Sequence, residues 1–206
     1  AKVADPESGK DVVRGFVVPT SIPGFSAHEV PAKLSLRAST TAEIVLQGVE
    51  VTDQDVLPGV TGLRGPLSCL TQARTGILFG ALGAARDCLA TAVDYAQTRN
   101  QFGKPLAAFQ LTQAKLADMA TAWHAAYLTA LHIGRCVDAG TASPSAISMG
   151  QLNLTRTAMV IASSARTIMG AHSLTAHYPF IRPAANLDTV LTSERTDLHF
   201  GGRIRR

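Results

Sequence analysis

The 206-residue sequence has no GxGxxG turn, no Walker loop, no GxSxG elbow and no HExxH pair. None of the common short motifs for dinucleotides, nucleoside triphosphates, serine hydrolysis or zinc proteolysis therefore announces a chemistry. Cysteine is scarce: Cys69, Cys88 and Cys136 are odd in number, far apart and without a CxxC spacing. That argues against a disulfide framework and fits a reducing compartment, so the cytoplasm is the expected location. No apolar run reads as long enough to cross a membrane, and the first residues lack the pattern of a secretory leader. Blocks of like charge are also missing. The net charge is +4 with a pI near 9.2, but Lys and Arg are scattered apart from a final "GRIRR". Neither nucleic acid nor a membrane is an expected partner, whereas phosphorylated small molecules suit this balance.

What is present is a globular composition, 46% hydrophobic and 17% charged, ample for a packed core. Two regimes divide the chain. From residue 1 to 62 the signals are β, with branched residues in "VVRGFVVP" and "AEIVLQGVEV" and a bend expected at Gly48. "SIPGFSAHEVPAK" between them carries turn chemistry from Pro23-Gly24 and Pro31. From 63 to 206 the period becomes helical. Leu78, Leu82, Ala85, Leu89, Val93 and Ala96 recur at spacings of three and four. "QFGKP" reads as a turn whose Pro105 opens the next helix, on which Leu116, Met119, Trp123, Tyr127 and Ala130 continue the period. Ser143-Pro144 reads as an N-cap and first-turn proline, Gly170 as the stop, and a last helix is expected near Pro183. The expectation is a mainly α fold: a C-terminal antiparallel helical bundle over 63–206, preceded by a partial β-barrel domain over 1–62 whose few strands leave open edges.

Spacing alone singles out few functional residues. His124, His132 and Cys136 share a helix face, yet no third or fourth metal ligand of the right kind accompanies them, and core packing explains them better. Trp123 and Tyr127 read as core. Arg99 and Gln110 bracket the turn, a sensible place to grip a phosphate, although arginines at helix ends usually answer a dipole or a surface carboxylate. Glu194 in "TSERTDLHF" looks, by itself, like an ordinary solvated charge.

Longer stretches say more. "YAQTRNQFGKPLAAFQLTQAKLADM", residues 95–119, resembles the signature of flavin-dependent acyl-CoA dehydrogenases: an R-x-QFG-x-P turn followed by Gln and a K-LADM helix. "KLSLRASTTAEIVLQGVEV" resembles the second half of that family's β domain, "GPLSCLTQARTGILFGALGAA" the start of its first C-terminal helix, and "NLDTVLTSERT" the segment with the catalytic glutamate. "LSLRAS", "VLPG" and "CLTQAR" are most similar to the glutaryl-CoA dehydrogenase branch.

The resemblance implies FAD bound at subunit contacts of a homotetramer. It also implies oxidation of acyl-CoA thioesters to enoyl-CoA, with electrons passed to an electron-transfer flavoprotein or similar acceptor. On this basis Arg99 matches the arginine on the FAD pyrophosphate and Gln110 a residue near its adenosine. Thr167, Ile168, Met169, Gly170 and Ala171 match the loop that approaches a partner's FAD, and Thr196 a threonine that contacts FAD. Leu67, Ser68, Cys69, Leu70, Thr71, Gln72, Ala73 and Arg74 match the wall of the acyl-CoA pocket. Glu194 matches the base that removes the α-proton.

The sequence also departs from the family pattern. Arg195 stands where the family has a glycine against the thioester, Ser193 replaces an aromatic residue, and Ala171 and His172 interrupt a glycine-rich loop. The family's N-terminal helical domain and the first half of its β domain have no counterpart, so a fragment, a split subunit or a decayed copy is expected. Two functions follow. One is FAD-dependent α,β-dehydrogenation of an acyl-CoA thioester of the glutaryl-CoA dehydrogenase type, impaired or incomplete in this chain. The other is a non-catalytic assembly module.

Overall fold

The computed structural model describes residues 1–4 and 9–193, in two compact units, Ala1–Gln72 and Ala73–Arg206. In the first unit, β1 (Lys2–Ala4) pairs antiparallel with β2 (Asp11–Val13), and β3 (Phe25–Glu29) with β4 (Ala42–Leu46). The β3 segment lies inside the stretch read as turns. What extends it is its partner: five residues, Phe25 to Glu29, register against Leu46 to Ala42. Gly24 makes that register possible. Its φ of +86° is open to glycine, and a Cβ there would collide with the Gln47 carbonyl. Gly48, at φ +63°, turns the chain after β4 as expected.

A single bridge joins Phe16 to Val56, flanked by Val17 N–H to Asp55 O at 2.8 Å and Leu57 N–H to Gly15 O at 2.9 Å. A short 3₁₀ turn, Asp53–Asp55, is closed by Asp55, whose carboxylate accepts from the Thr52 N–H at 2.7 Å and hydroxyl at 2.9 Å. Those bonds favour the charged form and hold the Asp55 carboxyl below its ordinary value. No described residue of this unit is buried.

The second unit is helical. Helix α1 (Arg64–Thr98) begins within the first unit's residues. It is followed by a two-residue hairpin, β5 (Asn100–Gln101) and β6 (Lys104–Pro105), then α2 (Gln110–Asp138), α3 (Pro144–Met169) and α4 (Ile181–Ser193). Pro105 does not open α2, as the turn reading expected. It pairs back onto Asn100, and a 3₁₀ turn, Leu106–Ala108, intervenes before Gln110. The Ser143 cap is present, its hydroxyl accepting from Ala146 N–H at 3.1 Å ahead of Pro144. Gly170 ends α3 at φ +60°.

Pairwise approaches fix the helix directions. Lys115 meets Thr167 and Ile133 meets Gly150, so α2 and α3 run antiparallel. Leu82 meets Trp123 and Phe79 meets Gly134, so α1 and α2 do as well.

The core splits in two. One cluster gathers Ala81, Cys88, Ala92, Ala96, Met119, Ile161, Phe180 and Leu187 among others. The other gathers Leu78, Leu82, Ala126, Ala130, Ile133, Ile147 and Leu154. Trp123 packs against both and donates its indole N–H to Leu82 O at 3.3 Å. On α3 a buried seam alternates spacings of three and four: Ser148, Gln151, Thr155, Ala158, Ala162, Ala165 and Met169.

Helix α1 also contains an 18-residue window of mean hydropathy 1.4, long and apolar enough to cross a membrane by length and composition, with a third of it buried inside the chain. That window was not anticipated from the sequence. Its apolar side chains, among them Ile77, Leu78, Phe79, Leu82 and Leu89, are spaced by glycine and alanine rather than forming one unbroken run.

Candidate functional site

The residues singled out between 95 and 171 converge at one end of the second unit's bundle. Arg99 follows the last turn of α1, its N–H bonded to Tyr95 O at 2.8 Å and its carbonyl accepting from Leu106 N–H at 2.9 Å. The hairpin between them thus projects from a fixed base. Arg99 is exposed, and its guanidinium has no hydrogen-bond or ion-pair partner among the described residues. Gln110, also exposed, opens α2.

From the α3 side, the Thr167 hydroxyl donates to Ser164 O at 2.8 Å and accepts from Lys115 Nζ at 3.2 Å. From the segment after α3, His172 Nδ1 lies 2.8 Å from the Tyr95 hydroxyl, one turn before Arg99. Tyr178 meets the Tyr95 ring edge-on at 5.8 Å and stacks on His172 at 6.3 Å. These contacts bring Arg99, Gln110, Thr167, Gly170 and Ala171 to a common end. Ile168 and Met169 are different: both are buried in the core, so their side chains are committed to packing.

Sequence reasoning passed over Phe102. It sits at φ +51° beside Gly103 at φ +79°, the paired left-handed geometry of a two-residue hairpin turn. Asparagine or glycine would adopt that conformation with less strain. Phe102 nevertheless occupies it with 93% of its surface exposed, its ring edge-on to Phe109 at 6.4 Å. Lys104 Nζ sits 4.3 Å from the Phe109 ring centroid. The signal was available in "QFG", where an aromatic stands at the position a tight turn reserves for small residues.

The stretch Leu67 to Arg74 lies on α1 and does not act as one surface. Leu67, Ser68, Cys69, Leu70, Gln72 and Ala73 are exposed, and Thr71 is half-buried. The Ser68 and Thr71 hydroxyls donate back to Gly65 O and Leu67 O. Arg74 is 3% exposed and turns inward, with Nη1 3.4 Å from Ser148 Oγ. Glu194, Arg195 and Thr196 lie outside the described residues.

Among the described residues no three His, Cys, Asp or Glu side chains converge. His132 Nε2 and Cys136 Sγ lie 3.7 Å apart along α2. Cys69 is exposed, whereas burial, helped by neighbouring Asp87, pushes the Cys88 thiol up to about 11.

A helical bundle carrying this turn at one end defines a class. The acyl-CoA dehydrogenase C-terminal domain family matches residues 61–190, and the chain belongs to the acyl-CoA dehydrogenase family. It is 31% identical over 176 residues to a probable short/branched chain specific acyl-CoA dehydrogenase of Dictyostelium discoideum, covering 85% of this chain and 43% of that protein. The crystal structure of glutaryl-CoA dehydrogenase from Mycobacterium smegmatis superposes with a TM-score of 0.88 at 52% identity, over 93% of this chain and 50% of that one. A second structure from that organism, a glutaryl-CoA dehydrogenase in complex with FADH2, gives 0.88 at 48% identity, again over 93% and 50%. The chain spans about half the length of the relatives it matches.

Proposed function

We propose that this chain is the C-terminal part of an FAD-dependent acyl-CoA dehydrogenase of the glutaryl-CoA type, with the helical bundle over 63–206 as its assembly and cofactor-binding half. The carrying observation is the bundle end where Arg99, unpartnered among the described residues, exposed Gln110 and strained Phe102 project together from the α1–α2 connection. These groups fit FAD: a guanidinium fork suits pyrophosphate oxygens, and an exposed aromatic offers a stacking face. When bound, FAD supplies the acceptor for the substrate's β-hydride.

The chain's own part in the chemistry is proton removal. The α-proton of a thioester is weakly acidic, so a carboxylate held away from water, with a raised pKa, makes a matched base. Glu194 is that group in this reading, and Thr196 would contact the cofactor. Arg195, the next residue in sequence, would work against it, because a cation near a carboxylate favours its charged form. The exposed side chains among Leu67 to Ala73 are the ones offered to the acyl-CoA, while Arg74 braces α1 from inside through Ser148. The active form is a cytoplasmic homo-oligomer that hands electrons to an electron-transfer flavoprotein or similar acceptor.

A second reading, an assembly module without turnover, is favoured by Arg195 and by the lack of buried residues among those described in the first unit. Two measurements separate them. The purified chain should carry a flavin absorption band, and a colourless protein that takes up no added FAD would count for the module. With a complementary N-terminal half supplied, the α-proton of an acyl-CoA should exchange into deuterated water, and Glu194→Gln should abolish that exchange. Exchange that survives the substitution would place the base elsewhere.

A further inference from the structure

The α3 seam changes character along its length. Its later positions are Ala158, Ala162, Ala165 and Met169, while the first three are Ser148, Gln151 and Thr155, all of them buried. The Ser148 hydroxyl is accounted for, donating to Pro144 O at 2.8 Å and lying 3.4 Å from Arg74 Nη1. Gln151 and Thr155 are not. Among the described residues, Oε1 and Nε2 of Gln151 and Oγ1 of Thr155 are buried without a hydrogen-bond partner. Turning the amide over does not help, because both of its ends lack one. Leaving such groups bare forfeits the water bonds they make in the unfolded chain, and native interiors avoid it.

We infer that Gln151 and Thr155 share an internal water site on the polar half of the α3 seam. The two residues are four apart on one helix face, with Cβ atoms about 5–6 Å apart, near enough for one water to bond both side chains. The donor inventory selects the ligand. Oε1 needs a donor, Nε2 needs an acceptor and the hydroxyl takes either role, so the occupant must both give and accept. A cation only takes electron pairs, so it would leave the amide N–H groups without an acceptor. An anion only accepts, so it would leave Oε1 without a donor. Water satisfies all three atoms, and buried waters of this kind make two to four bonds to groups that have no protein partner.

The test is a crystal structure of the chain at a resolution that orders solvent, joined to water-to-protein cross-relaxation NMR on the Gln151 side-chain amide. The expected result is solvent density within about 3 Å of both side chains, and a cross peak from water to the Gln151 amide protons. Thr155→Val keeps the shape but removes one partner, so it should weaken that cross peak in a protein that still folds. A dry site, an ion in place of water, or a cross peak unchanged in Thr155→Val overturns the shared site. These readouts do not involve flavin or acyl-CoA, so they stand or fall separately from the proposed function.

Discussion

The two units use the same kinds of apolar residue to opposite ends. In the second unit Leu78, Ile161 and Phe180 are sealed from solvent, and the helices carrying them have a core to pack on. In the first, Ile44 and Leu46 are 62% and 56% exposed, and the strands persist on backbone pairing. Burial at roughly 25 cal/mol per Å2 of apolar surface is thus concentrated after residue 73, while isolated two-stranded ribbons are marginal in water. Hydrophobic composition alone does not say where stability resides. What decides is whether a side chain finds neighbours on every side.

The sharpest way to break this contrast is to empty one site in each unit. Phe180→Ala should cost about 3–5 kcal/mol in urea unfolding, the range for removing a buried phenylalanine. Ile44→Ala should stay within about 0.5 kcal/mol. Equal losses would mean that the first unit has a core after all. Within the second unit, the displayed end should behave unlike the interior. Arg99→Ala is expected to leave the unfolding midpoint unchanged while weakening FAD binding by about 1.5–3 kcal/mol, the range for a hydrogen bond to a charged group; titration of FAD fluorescence measures it. Ser143→Ala removes the α3 cap and should lower stability by about 1 kcal/mol.

A further contrast concerns cysteine. Cys69 should react with a thiol reagent at pH 8 while Cys88 stays silent in the folded chain. The buried thiol ionises near 11 against an ordinary 9.0. The unfolded chain therefore loses that proton first, and stability should fall as pH rises from about 9 toward 11, with no Cys88 contribution below that window.

Legibility followed the same divide. The helical period, the Ser143-Pro144 start and the Gly170 stop were readable because each is a local signal that the bundle reinforces. Strand β3 was not, since Phe25–Glu29 is extended by pairing with β4 and carries turn residues on both sides. The start of α2 was misplaced because Pro105 suits a helix's first turn and a hairpin's last residue equally well. At the site, Arg99 and Gln110 were found through a long motif rather than through spacing. Phe102 was overlooked because an exposed, strained aromatic has no periodicity. The loop assignment at Ile168 and Met169 ran together two roles, since the same residues that approach the bundle end also plug its core. Glu194 rests on resemblance alone.

Gly150 has a mechanical meaning. Where its side chain would stand, the terminal methyl of Ile133 already sits, with Leu78 behind it. The antiparallel pair α2–α3 touches backbone-close at this point and meets again at Lys115 and Thr167, 17 residues along α3 from Gly150 (167 − 150). At 1.5 Å per residue that is roughly 26 Å away. A methyl group at position 150 would meet the tip of the Ile133 side chain first, so that side chain absorbs it by turning and little strain reaches the Lys115–Thr167 contact.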